Sequence, residues 1–415
     1  FQLTEEAVPS CHLYMEAQIF TPDSNRFVLH RSAHSHGSDK SDPEHRYLLC
    51  DLENAGALSP LTDETGATAP SVSPDGTWMY YFVNETGVNA GRLTLKRVRL
   101  DGTARETLTV VDAPLPGTGG IPSHIYPLST ISSDGRRLAL SAFFGDGETE
   151  GAPFGLMIFN LEQAAVSVVL TGPTWLNMHP QYCRATAAAH DILIQENHGS
   201  EYAKDGQCTR LVGGEGADIH LIRDDGTDFR NLPWGRDGNE FCQGHQCWRG
   251  ASTSAITSTS VRDSRHCELI QGAPAPFAGH VGLATPGGQR NNLSRVFPKP
   301  AFHHFATDIA GDRLITDARI GNTWLLYTAQ CGPASGDPLK NWQYILDSRT
   351  DCTKKDTHIH PFLSPDGTKG FFNSEESGLL QAYICLLYTS DAADDLLCVD
   401  LGGRRIIKKK QNKRD

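Results

Sequence analysis

The amino-acid sequence predicts an all-β protein built as one seven-bladed β-propeller over residues 1–383. A turn containing Asp and Gly recurs along the chain, and an apolar strand pattern follows each turn. The turns lie roughly 50 to 65 residues apart, a period typical of propeller blades or solenoid repeats. The composition of 40 Gly and 23 Pro against four Met favours many turns and short strands. Strand patterns with little helical periodicity select the propeller.

Seven copies of this repeat follow one another, and each pairs a turn and its strand with a second strand further on. They begin near Phe20, Val72, Ile131, Tyr182, Ser252, Asp308 and Ser364. Long insertions at 33–45, 113–121 and 199–216 are expected to form loops on the propeller faces, where binding residues tend to lie. The last blade is expected to be imperfect and weakly closed against the first.

The chain opens at Phe1 without a Met or a leader pattern, so we expect it to be truncated at its N-terminus. Residues 384–415 resemble a translated sequencing adapter and are expected to be a non-native tail outside the propeller. The alternative for this tail is a basic arm that binds nucleic acid.

The formal net charge of −12 argues against a nucleic-acid partner. No apolar run of about 18 residues is present, so we expect no membrane span. An acidic substrate would need a local basic or metal-bearing site. The 11 cysteines have irregular spacing, which favours a reducing, cytoplasmic location, with a periplasmic one left open. Cys242 and Cys247 flank His245 and could form a disulfide or bind a metal, but free buried thiols are favoured.

The segment Thr357-His358-Ile359-His360-Pro361 is the strongest local indication of chemistry. On a β-strand, histidines at i and i+2 point to the same face and can converge on one ion. Two solvated loop histidines are the alternative. Other histidines stand beside the blade turns and strands, at positions expected to lie near the central channel. The set comprises His12, His179, His198, His245, His303, His304, His358 and His360.

Several short motifs occur in matching order along residues 1–383. They are Cys11-His12-Leu13-Tyr14, His179-Pro180-Gln181-Tyr182, Glu196-Asn197-His198-Gly199, Asp224-Asp225-Gly226-Thr227, Cys242 to Trp248, His303-His304-Phe305 and Thr357 to Pro361. Together they resemble the oligogalacturonate lyases, which are seven-bladed propeller polysaccharide lyases.

The resemblance implies cleavage of short uronate oligomers by β-elimination, with a manganese-type divalent ion as cofactor. By the same resemblance, His304, His358 and His360 are metal ligands and His245 is the base. We expect the remaining channel histidines, which are His12, His179, His198 and His303, to bind the acidic oligosaccharide, with His198 and His303 as alternative bases.

Two positions depart from the family pattern. Lys355 stands where the family has a Gln ligand, and Asp218 stands where it has an active-site Arg. If Lys355 points inward, its ammonium group could replace part of the metal charge.

The chemistry accounts for these residue types independently of the resemblance. Elimination removes a weakly acidic C5 proton while negative charge moves onto the uronate carboxylate, so a cation at that carboxylate lowers the barrier. A neutral imidazole can accept the proton near pH 7. Three His ligands suit manganese or zinc, whereas calcium takes more oxygen ligands. Two alternatives remain: a lyase for another uronate, such as a glucuronate-containing oligosaccharide, and a non-catalytic propeller that serves as a binding platform.

Overall fold

The structure is a computed structural model that describes residues 1–5, 7–32, 42, 44–211, 216–234, 240–261, 266–273, 289–297, 301–333, 337–352 and 357–387. In these residues the chain forms seven antiparallel blade sheets and one separate two-stranded hairpin. The strands of each blade are consecutive in sequence, except where this hairpin is inserted. The prediction of an all-β, seven-bladed propeller is confirmed.

The first three blades each contain four strands. Blade 1 has β1 (Ser10–His12), β2 (Arg26–Arg31), β3 (Arg46–Asp51) and β4 (Ala57–Pro60). Blade 2 has β5 (Ala67–Val72), β6 (Trp78–Asn84), β7 (Leu93–Arg99) and β8 (Arg105–Val111). Blade 3 has β9 (Thr130–Ile131), β10 (Arg137–Phe143), β11 (Phe154–Asn160) and β12 (Ala165–Gly172).

Blade 4 carries the inserted hairpin. Its strands are β13 (Gln181–Tyr182), β14 (Asp191–Asn197), β17 (Ala217–Arg223) and β18 (Arg230–Asn231), with a 3₁₀ turn at Thr186–Ala188. The hairpin pairs β15 (Glu201–Tyr202) with β16 (Cys208–Arg210). It occupies part of the insertion expected at 199–216.

The last three blades complete the ring. Blade 5 has β19 (Glu240–Trp248), β20 (Ala255–Val261), β21 (Glu268–Ala273) and β22 (Gln289–Asn292). Blade 6 has β23 (Phe302–Thr307), β24 (Arg313–Ile320), β25 (Thr323–Gln330) and β26 (Lys340–Asp347). Blade 7 has β27 (Phe362–Leu363), β28 (Lys369–Ser374) and β29 (Gln381–Leu386), so the boundary expected at 383 falls inside its last strand.

The recurring turn owes its shape to side-chain hydrogen bonds. In Ser73-Pro74-Asp75-Gly76, the Ser73 hydroxyl donates to Asp75 at 2.5 Å, and Asp75 accepts from the Thr77 amide at 3.0 Å. Gly76 has a φ of 69°, and a Cβ there would lie 2.7 Å from Pro22 of the neighbouring blade. The same turn recurs at Ser132 and Ser364. Each copy therefore starts a hairpin and docks one blade onto the previous one.

The ring closes between the two ends of the chain. The Leu3 amide donates to the Ala382 carbonyl and the Ile384 amide to the Phe1 carbonyl, both at 2.8 Å. These residues thus add an outer edge to blade 7, which has three strands of its own. The expectation of a weakly closed last blade overlooked this pairing.

Apolar side chains fill the spaces between blades. Phe362 and Phe371 stack with ring centroids 5.1 Å apart, and Phe371 meets Phe27 of blade 1 at 5.0 Å. Burying a side chain of this size contributes about 1.5–3 kcal/mol. In the part of the chain that the structure describes, no helix is both long and apolar enough to cross a membrane.

Candidate active site and metal centre

A cavity of about 750 Å³ opens where the inner strands of the blades meet. Its walls come from blades 1, 3, 4, 5, 6 and 7, with side chains on the first strand of a blade or just beside it. They include Tyr14, Tyr126, His179, His245, His303 and His358. Residues remote in sequence therefore face one shared space, as the positions of the histidines beside the blade turns predict.

Three histidines meet at the side of this cavity. One nitrogen from each of His304, His358 and His360 lies within 4.8 Å of the others. The His304 ring centroid is 4.7 Å from that of His360 and 5.3 Å from that of His358. Such an arrangement can reach metal–nitrogen distances of about 2.1 Å through small side-chain movements. We call these residues the histidine trio.

The two histidines of the segment Thr357 to Pro361 are not brought together by the alternation of side chains along a strand. His358 and His360 lie outside the described strands, in the segment before β27, and His360 has a φ of 45°. The expectation of a His-x-His pair on a strand is therefore wrong. A backbone turn in the left-handed region brings the two rings together instead.

Asp317 holds His304 in the orientation that a metal ligand needs. The Asp317 carboxylate accepts hydrogen bonds from the His304 backbone amide at 2.7 Å and from its Nδ1 at 2.9 Å. Since Nδ1 carries the proton, Nε2 is the nitrogen left for a metal. Asp317 is fully buried on β24, and burial raises the pKa of its carboxyl to about 6.

A β-bulge directs two adjacent histidines into the site. The pairing of β23 with β24 shifts register between Phe302 and Phe305, so His303 and His304 escape strict alternation. Their ring centroids are 4.2 Å apart. His303 lines the cavity, and burial lowers the pKa of its imidazole.

His245 faces the trio from blade 5. Its ring centroid lies 4.4 Å from that of His303 and 4.5 Å from that of His304. A second bulge, between Cys242 and Gln246 on β19, positions it. Its buried Nδ1 has no hydrogen-bond partner among the described residues. Burial, together with the neighbouring histidines, lowers the pKa of His245 well below 6.5, so the ring is neutral at pH 7.

The wall on the other side combines a carboxylate, a histidine and two phenols. The Glu16 carboxylate accepts a hydrogen bond from Nδ1 of His179 at 2.9 Å. The Tyr14 ring lies between His179 and His360, with centroids 5.4 and 4.5 Å away, and the Tyr126 ring is 5.1 Å from His179. Burial first, and then the Glu16 charge, raises the pKa of both tyrosines, which therefore keep their protons.

Two of the predicted substrate-binding histidines do not reach the cavity. His12 is fully buried among Phe27, Phe362 and Phe371, with Nε2 2.9 Å from the Tyr383 carbonyl. It is a packing residue, because its side chain points between blades 1 and 7. His198 is hydrogen-bonded to Asp218 at 2.8 Å in blade 4 and does not line the cavity.

Lys355, at the position of the family's Gln ligand, lies outside the described residues. Cys242 and Cys247 are buried, and no disulfide joins them. Burial raises the pKa of the Cys247 thiol.

Sequence reasoning missed Asp317, Glu16, Tyr14 and Tyr126 as site residues. Asp317 could have been noticed as a charged residue in the centre of the apolar strand β24. Glu16 stands in an apolar segment after β1, with no sequence neighbour that marks its partner.

The fold and the site together define a class: seven-bladed propellers with a histidine-lined cavity at the convergence of the inner strands. Within it, the chain is similar to a solved oligogalacturonate lyase in complex with manganese, at 19% identity and a TM-score of 0.68, over 94% of this chain and 93% of that one. An oligogalacturonate lyase from Vibrio parahaemolyticus is 17% identical, with a TM-score of 0.66 and the same coverage. The resemblance seen in the motifs is thus confirmed at the level of the fold.

Proteins of another class are similar in fold over part of their length. A prolyl endopeptidase structure is 12% identical with a TM-score of 0.53, and the alignment covers 91% of this chain but 51% of that one. No protein-family model matches the sequence, and no curated protein matches it.

Proposed function

We propose that the protein is a carbon–oxygen lyase that cleaves short uronate oligosaccharides of the oligogalacturonate type by metal-assisted β-elimination. One observation carries the proposal: a neutral, half-buried His245 lines the cavity directly beside the histidine trio, with its ring centroid 4.5 Å from that of His304. β-Elimination from a uronate needs a proton acceptor at C5 and positive charge at the carboxylate. His245 can supply the first, and a cation held by the histidine trio would supply the second.

His245 is the base. Its neutral ring accepts the C5 proton, the C4–O bond breaks, a C4–C5 double bond forms, and the leaving oxygen takes up a proton. The lowered pKa keeps the base unprotonated but weakens it, so binding of an anionic substrate next to the ring must raise this pKa toward neutrality. Protonated Tyr14 and Tyr126 can donate hydrogen bonds to the sugar from the opposite wall.

His304, His358 and His360 would hold the divalent cofactor. Three imidazole nitrogens, with Asp317 behind the first, are a donor set that suits Mn²⁺ or Zn²⁺ better than Ca²⁺. When bound, the ion supplies the positive charge that stabilises the developing negative charge on the carboxylate. Lys355 would lie next to it if it occupies the position of the family's Gln ligand.

His179 and His303 are the predicted substrate-binding histidines that line the cavity. Nδ1 of His179 is hydrogen-bonded to the buried Glu16 carboxylate, which leaves Nε2 as the nitrogen that can contact the sugar. His303 stands beside His245 and is the alternative base.

The test is the ultraviolet absorbance of the unsaturated product after incubation with galacturonate oligomers or glucuronate-containing oligomers. His245→Ala is expected to lower kcat by about 10²–10⁴-fold and to keep its bound manganese. His304→Ala is expected to lose both. His266→Ala, at an exposed position in the same blade, is the matched control and should behave as wild type.

The outcomes separate the alternatives. Product from glucuronate oligomers alone would reassign the substrate. No product from any uronate, with intact fold and bound metal, would favour the binding platform. Full activity of His245→Ala would move the base to His303.

A further inference from the structure

A second set of side chains with metal-binding chemistry lies in blade 4, outside the cavity. Glu196 on β14 and Asp218 on β17 are directly opposed cross-strand partners. A ligand atom of His220 lies within 4.8 Å of one oxygen from each carboxylate. His198 lies next to this group, with Nε2 2.8 Å from Oδ2 of Asp218, and 32% of its side chain is exposed. The lyase chemistry proposed above uses none of these four residues, which we call the blade 4 cluster.

The cross-strand pair of Glu196 and Asp218 places two carboxyl groups of like charge side by side. Glu196 and Asp218 are both more than nine-tenths buried, and like charges opposed across two strands destabilise a sheet. Two buried carboxylates need positive charge close by. Either protonated histidines or a cation held by neutral histidines can supply it.

Asn231 orients His220 in both arrangements. Its Oδ1 lies 2.9 Å from Nδ1 of His220, and an amide oxygen can only accept, so Nδ1 carries the proton. Nε2 lies 3.1 Å from Oε2 of Glu196: it donates to this carboxylate when the ring is protonated, and a cation that takes the place of the Nε2 proton would be bound by both atoms. This repeats the relation of Asp317 to His304 in the trio, in which an acceptor on one nitrogen leaves the other to bind a metal.

Three separations between ligand atoms, which are also hydrogen-bond or ion-pair distances, are of the size that a small tetrahedral site requires. Zinc bound at about 2.0–2.1 Å places neighbouring ligand atoms about 3.3 Å apart. Nε2 of His198 lies 2.8 Å from Oδ2 of Asp218 and 3.6 Å from Oε2 of Glu196. With the 3.1 Å contact of His220, these separations bracket the tetrahedral value.

We propose that Glu196, His198, Asp218 and His220 form a second divalent-cation site, whose two nitrogen and two oxygen donors suit zinc. The exposed His198 gives the ion a route in from solvent. The site joins β14 and β17 at the base of the hairpin β15–β16. Residues of that hairpin region, Gly206, Gln207, Cys208 and Leu211, line the cavity, so the ion fixes one wall of it.

The experiment counts zinc bound to the full-length chain after removal of metal with a chelator, by equilibrium dialysis and elemental analysis. His304→Ala with His358→Ala, which disrupts the trio, should still bind one Zn²⁺. Glu196→Gln with Asp218→Asn should bind one ion fewer than wild type. Asn231→Leu keeps all four ligands and should weaken this site by about 10–100-fold.

Asp191→Asn is the matched control, because Asp191 is a buried carboxylate of the same sheet that pairs with Arg230 at 2.8 Å. It should leave zinc binding unchanged. A folded Glu196→Gln/Asp218→Asn variant that binds as much zinc as wild type would overturn the proposal. The four residues would then be interpreted as an ion-pair cluster without a metal. The trio variant decides independently of catalysis, since a zinc ion that this variant still binds is not held by the histidine trio, and its loss on adding Glu196→Gln and Asp218→Asn would place it in blade 4.

Discussion

Replacing Asp317 with Asn should separate the stability of the protein from its affinity for metal. Burial raises the pKa of Asp317 from 3.8 to about 6 in the folded protein. The folded state therefore favours the protonated carboxyl. The stability that this proton contributes is complete below about pH 4 and is lost as the pH rises through about 6. A difference of about two pKa units corresponds to about 3 kcal/mol.

The side-chain amide introduced by Asp317→Asn would resemble the protonated carboxyl and carry no charge. The metal-free variant should therefore match wild type near pH 4 and exceed its free energy of unfolding by up to about 3 kcal/mol at pH 7. The amide nitrogen can donate to Nδ1 of His304, which moves the ring proton to Nε2. Since Nε2 is then no longer a ligand, affinity for manganese should fall about 10–100-fold.

The assay is denaturant unfolding of chelator-treated protein at both pH values, followed by a manganese titration. Asp312→Asn, at an exposed position just before β24, is the control and should show neither effect. A variant that keeps wild-type manganese affinity, or a stability difference that does not change between pH 4 and pH 7, would refute the role assigned to Asp317.

Three further predictions follow from the same geometry. In the substrate-free enzyme the pKa of His245 lies well below 6.5, so kcat/KM should stay constant as the pH is lowered through 6.5 and should fall only at lower pH. A fall in kcat/KM with its midpoint at pH 6.5 or above would contradict the assignment of His245 as the base. Deleting residues 1–4 removes their hydrogen bonds to β29 and should lower the free energy of unfolding by about 2–4 kcal/mol, at about 1 kcal/mol for each bond. An unchanged melting temperature would mean that blade 7 is stable without these bonds. His12→Ala should destabilise the core by about 2–4 kcal/mol and leave KM within about twofold of wild type, whereas a large rise in KM would return His12 to the substrate site.

The fold could be predicted from the sequence because the turns that define its repeat are formed by residues close together in the chain. Ser73, Ser132 and Ser364 each begin a turn closed by hydrogen bonds within a few residues, so the repeat appears in the sequence letters themselves. The pairing of residues 1–3 with β29 was not readable, because it joins chain segments about 380 residues apart and has no local motif.

The site was readable only in part. The residue types of His245, His304 and His358 mark them as candidates, and a propeller brings such positions to one channel. His12 fits the same pattern but packs against Phe371, because alternation along β1 turns it away from the cavity. Asp317 escaped notice because its significance depends on its hydrogen bonds to His304, one strand away.

Backbone irregularity, rather than regular strand geometry, assembles the cavity. His124, Asn177 and His179 line it with positive φ, and His360 of the trio has the same conformation. For residues with a Cβ, this conformation costs on the order of 1–3 kcal/mol each and persists where the surrounding structure holds it in place. The bulges at His245 and at His303–His304 lie at the same convergence of inner strands. Regular strands would send alternate side chains away from the channel, so these departures are what allow so many polar groups to meet there.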